Sequence, residues 1–123
     1  MISVTKQTPE QLATSFAQAA VEYERAWKKH PNINLPFCEV TMEAVKARLQ
    51  IARAMNDSGH GTYTSVFAEE FLEMIEAAGT LDLDAFRTEL AQCHAVLERM
   101  NDFVTSFILS RKGTVNVNEQ AHH

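Results

Sequence analysis

Residues that interrupt helices are scarce in this chain, and their placement constrains the fold more than any other feature. Gly occurs 4 times and Pro 3 times in 123 residues, so the backbone has few places to break and the composition is that of an all-α protein. Thr8-Pro9-Glu10-Gln11 is a helix start: Thr8 caps, Pro9 takes the first helical position and Gln11 completes a capping box. Leu12, Phe16, Ala20, Tyr23 and Trp27 follow at helical spacing, Lys28 and Lys29 suit the negative end of the dipole, and Pro31 stops the helix near His30. After an irregular connection from Pro31 to Glu39, in which Leu35, Phe37 and Cys38 are expected to tuck against the helices, a second helix runs from about Thr41 to Met55. Its apolar face is Met42, Val45, Leu49 and Ala52. The stretch from Asn56 to Gly61 is a break. A third helix starts at Thr62 to Thr64 and stops near Gly79, a natural left-handed C′ residue. Asp82 is placed to cap a fourth helix, with Leu81 and Phe86 as a hydrophobic staple. That helix extends from Leu83 to Arg111 and ends at Gly113. The expectation is a four-helix bundle-like single domain over residues 1–113, with Met1 to Gln7 a mobile polar lead and 114–123 a flexible tail. The terminal His122-His123 pair is left out of the functional reading.

Hydrophobic content of 46% and charged content of 22% are ordinary for one globular domain of this length. A net charge of −5 and a pI near 5.5 leave no basic stripe for phosphate backbones, so nucleic acid is excluded as a partner. An acidic protein can still act on free nucleotides if a divalent cation screens the charges. No run of eighteen apolar residues suggests a membrane span. The first residues lack the apolar core of a signal peptide, so Cys38 and Cys93 read as reduced thiols and a cytoplasmic location is expected.

The chemistry concentrates between Val66 and Gln92. At 100° per residue, Tyr63, Phe67, Phe71, Met74 and Ala78 form one stripe, with Glu70 at its border and Glu73 one step further round. On the next helix Phe86, Leu90, Cys93, Leu97, Met100, Val104 and Phe107 form a seam bordered by Glu89, with Gln92 three residues on. Acidic runs such as Glu69, Glu70, Glu73 and Glu76 are most often solvated faces, and exposed like-charge pairs cost only about 0.2–0.5 kcal/mol. Here, however, the carboxylates sit at the edge of apolar stripes, where desolvation is costly without a counter-charge. No Lys or Arg lies three or four residues from Glu70 or Glu73. A hard divalent cation would be a fitting counter-charge.

This pattern resembles the MazG-like all-α nucleoside triphosphate pyrophosphohydrolases, whose signature is EExxE on one helix and ExxD on the next. Glu69-Glu70-Phe71-Leu72-Glu73 supplies the first element, and Glu89-Leu90-Ala91-Gln92 the second with its last residue changed. The gap between Glu73 and Glu89 is 15 residues. The resemblance spans roughly Gly59 to Met100 and extends to the phage- and bacterium-borne MazG-like branch. It implies a helical-hairpin core, a homodimer or homotetramer, and Mg2+ (or Mn2+) as cofactor. The implied substrate is a nucleoside triphosphate, hydrolysed to the monophosphate and pyrophosphate. By the same resemblance Glu69 or Glu70, Glu73 and Glu89 are metal ligands and catalytic residues, with Glu70 and Glu73 better oriented than Glu69. Gln92 stands where the family has aspartate; its carbonyl can ligate but brings no charge, which weakens metal binding. Arg48 is a candidate phosphate contact, against the alternative of a side chain that buries its stem and keeps its charge wet. The competing reading is a helical binding module of the same fold without catalysis. Elsewhere, Cys93 and His94 point about 100° apart on one helix and form no zinc pair, and Gly59-His60-Gly61 matches no phosphate loop.

Overall fold

The capping residues place the helices much as the sequence suggests. The computed structural model describes residues 3–121, with side chains from 3 to 112. It contains α1 (Pro9–Lys29), α2 (Met42–Asp57), α3 (Tyr63–Gly79) and α4 (Leu83–Ala121). No strand occurs among the described residues. No helix is long and apolar enough to cross a membrane, among those same residues. Thr8 accepts from the Gln11 amide while Gln11 Oε1 accepts from the Thr8 amide, closing the expected capping box. Thr41 and Thr62 cap α2 and α3, and Asp82 Oδ1 accepts from the Ala85 amide at the start of α4. Each such cap contributes about 1 kcal/mol.

Contacts divide the chain into two units: Pro36–Met100, and Met1–Leu35 with Asn101–His123. In the first, α2 packs along α3. Val45, Leu49 and Ala52 of α2, Ile75 and Ala77 of α3 and Cys93 of α4 are its buried apolar residues. The end of α2 is fastened to the start of α3 by a polar knot. Asn56 Nδ2 donates to the Ser65 carbonyl (3.2 Å), and Ser65 Oγ donates to Asn56 Oδ1 (2.6 Å). A Cβ at Gly61 would lie 2.8 Å from Asn56 Oδ1, so this loop needs glycine to come so close. In the second unit the N-terminal segment is pinned rather than mobile. The Thr5 amide donates to Ser106 Oγ, and Gln7 Nε2 donates to Asp102 Oδ1 at 2.8 Å.

Several expectations are corrected. The stripe of Phe67, Phe71, Met74 and Ala78 is half-buried or exposed; α3 instead buries Ser65, Ile75 and Ala77, and of these Ser65 meets Asn56 at the end of α2. On α4 only Cys93 of the anticipated seam is buried, whereas Val104 and Phe107 are exposed and, among the described side chains, the buried positions beyond Met100 are Asp102 and Ser106. Leu35 and Phe37 are exposed, and Phe37 meets Phe86 edge-on at 6.3 Å. The helix α4 continues through Gly113 to Ala121, since a glycine without a following proline only weakens a helix. Met1, Ile2 and the His122-His123 pair lie outside the described residues.

The turn between α3 and α4 is also built differently. Gly79 belongs to the last turn of α3, where the Met42 side chain occupies the space a Cβ would need. The left-handed residue is Leu81, at φ 58°. Its amide donates to the Ala78 carbonyl and that of Asp82 to the Ala77 carbonyl, the paired bonds of a Schellman motif. Leu81 is 90% exposed, so the anticipated staple with Phe86 is not closed. A left-handed leucine is strained by roughly 1–2 kcal/mol, and its exposed side chain contributes little packing. Leu81→Gly is therefore expected to raise the unfolding free energy by about 0.5–1 kcal/mol in a urea titration, after the greater freedom of glycine in the unfolded chain is deducted. A loss of stability would show that the leucine side chain holds the turn.

Candidate functional site

Helical spacing and the α3–α4 turn together bring the acidic residues to one place. Glu70 and Glu73 lie one turn apart on α3, and Glu89 lies near the start of α4. One carboxylate oxygen from each of the three lies within 4.8 Å of the others, and all three residues are half-buried. Oxygens bound to one Mg2+ at 2.0–2.1 Å can be at most about 4.2 Å apart. Neighbouring positions of an octahedron are only about 3 Å apart, so the set would have to close by up to roughly 2 Å through glutamate rotation to grip such an ion, for which hard carboxylate oxygens are the right donor chemistry.

The remaining predicted residues fall into different roles. Glu69 is not among the converging three; its Oε1 accepts from Asn56 Nδ2 at 3.0 Å. Gln92 is at the site. With its amide nitrogen turned toward the carboxylates, it donates to Glu89 Oε2 at 2.8 Å and Glu70 Oε2 at 2.5 Å. Arg48 pairs with Glu39 at 3.6 Å, and both are well exposed. The guanidinium that does reach the cluster is Arg53, whose Nη2 donates to Glu73 Oε1 at 3.1 Å. A search for partners within α3 misses it because it comes from α2. Its position four residues after Leu49, on the row that carries α2 into α3, is the signal that could have found it.

Burial raises the proton affinity of Glu70, Glu73 and Glu89 above the usual glutamate range, and neighbouring carboxylates add to it in each case. The hydrogen bond from Arg53 opposes the shift at Glu73. Cys93 is 5% exposed, as a core residue should be. Burial and then the charges of Glu70, Glu89 and Glu73 push its thiol up, so it stays protonated rather than acting as a thiolate ligand.

No family model, curated protein or solved structure matches this chain. The assignment of the site thus stands on its own geometry.

A carboxylate that holds its proton more tightly when folded favours the fold at low pH. That contribution is complete below the unfolded value and is lost as pH rises through the raised folded values. Unfolding free energy is thus expected to fall with increasing pH from just above the ordinary glutamate range. Glu70→Gln should flatten this dependence and, near neutral pH, add stability of about 0.2–0.5 kcal/mol per like-charge pair removed. Superimposable pH profiles for the two proteins would show that the cluster carries no such strain.

Proposed function

We propose that Glu70, Glu73 and Glu89 hold a divalent cation, Mg2+ or Mn2+, and that the protein is a MazG-like nucleoside triphosphate pyrophosphohydrolase. One observation carries this reading: three half-buried carboxylates from two helices each bring an oxygen within 4.8 Å of the others. The EExxE element and the spacing to Glu89 support it, as does the all-helical fold. The reaction adds water across the α–β phosphoanhydride, giving a nucleoside monophosphate and pyrophosphate. A bound cation would neutralise phosphate charge and lower the pKa of a coordinated water. Glu70, Glu73 and Glu89 would orient it, and a carboxylate whose proton affinity burial has raised is suited to accept a proton from water. Arg53, whose guanidinium already donates to Glu73 of the cluster, is the side chain there that would meet a phosphate oxygen, whereas Arg48 pairs with Glu39 outside the cluster.

The same reading includes self-association in the cytoplasm. The helix α1 buries no residue, and Phe16, Tyr23 and Trp27 on its apolar stripe are exposed. The stacked pair Phe67–Phe71 is likewise only partly covered. A homodimer or homotetramer would cover such faces.

A second reading, a non-catalytic binding module, draws on a specific arrangement. Arg53 neutralises part of the charge at Glu73, and the Gln92 amide binds both Glu70 and Glu89. The protein thereby offsets much of the cluster's charge without any ion.

Thermal unfolding with and without Mn2+ separates the two. The cation-binding reading expects a midpoint raised by roughly 4 °C or more at saturation, abolished in Glu73→Gln and enlarged in Gln92→Asp. An unchanged midpoint in the wild type, together with no pyrophosphate released from any common nucleoside triphosphate, would leave the binding module.

A further inference from the structure

The unit that carries the carboxylates also contains a cavity of about 510 Å3, a size typical of small-molecule sites. Its position follows from the register of α3 and α4. Glu70 meets Gln92 across the two helices. The cavity is walled by Val66, one turn before Glu70, and Val96, one turn after Gln92, about 6 Å further along each axis. One further turn in the same direction are Tyr63 on α3 and Arg99 on α4, which also line it. The cavity and the carboxylates therefore occupy successive turns of the same pair of helices.

The lining groups differ in what they can still bind. Asn56 is saturated: its amide donates to Ser65 and Glu69 and its carbonyl accepts from Ser65. The Thr62 hydroxyl is committed to the cap of α3. Val66, Val96 and the Tyr63 ring offer apolar and aromatic surface. Arg99 is different, for among the described residues it has no ion pair or hydrogen bond. Its guanidinium is a planar fork of donors with no acceptor.

We propose that this cavity receives the nucleoside end of a nucleotide whose phosphates lie over Glu70, Glu73 and Glu89, and that Arg99 selects a base bearing a keto oxygen. The inference rests on the nucleotide reading of the carboxylates. A donor-only fork fits guanine, whose O6 and N7 accept side by side, and rejects adenine and cytosine, whose exocyclic amino groups would face donors with donors. Tyr63 and the two valines flank the ring, and Arg99 is the specificity-determining contact.

Isothermal titration with Mn2+ present tests this with three probes: inorganic tripolyphosphate and the α,β-methylene analogues of GTP and ATP. In the wild type the guanosine analogue is expected to bind about tenfold more tightly than the adenosine one. In Arg99→Ala, an exposed position whose truncation should leave the fold intact, that preference should shrink to within about twofold while tripolyphosphate binding is unchanged. Equal affinity for the two analogues in the wild type overturns the base-selection role while tripolyphosphate binding keeps the carboxylate reading. A preference that survives in Arg99→Ala, or an equal loss of tripolyphosphate affinity, overturns the role of Arg99. Failure of tripolyphosphate to bind at all overturns the carboxylate reading itself, and this proposal with it.

Discussion

Repulsion among Glu70, Glu73 and Glu89 is the constraint around which this half of the molecule is arranged. Three half-buried carboxylates from α3 and α4 each bring an oxygen within 4.8 Å of the others, and their mutual repulsion opposes that approach unless it is answered. The chain supplies two answers, the guanidinium of Arg53 from α2 and the amide of Gln92 from α4. Neither is complete, since burial still lifts all three proton affinities. This residual demand for positive charge is what links the fold to the proposed chemistry. Without it the glutamates would be unremarkable features of a wet surface.

The second unit is held together by different means. Asp102 is 7% exposed and accepts from both the backbone amide and the side-chain amide of Gln7. Asn101 Nδ2 donates to Gln7 Oε1, and Ser106 receives the Thr5 amide. Here the N-terminal segment finds its place through directional polar bonds, which are modest in net energy but costly to leave unmade when buried. The apolar side chains of α1 and the later part of α4 stay exposed instead. That inversion of the usual order suits a surface awaiting cover.

Local signals in the sequence were the legible ones. The Thr8 and Asp82 caps could be read because a cap depends on residues three positions away. The pairing of Glu70 and Glu73 with Glu89 was also accessible, since one short turn joins their helices. What could not be read depends on neighbours distant in sequence. Periodicity identified an apolar stripe on α3 but not that α2 would cover a different side of it. It missed Arg53, 20 residues from Glu73, and it assigned Val104 and Phe107 to a seam that Asp102 and Ser106 occupy. The turn was misread for another reason: Gly79 matched a helix terminator, yet close approach of Met42 accounts for it, and Leu81 takes the left-handed position.

Cys93 lies in the core against this cluster, its ionisation opposed by the fields of Glu70, Glu89 and Glu73. Whatever neutralises the glutamates, be it a proton, a guanidinium or a metal, must also ease the release of the sulfur's hydrogen. The ionisation of this buried sulfur is thus tied to the charge state of the neighbouring acids.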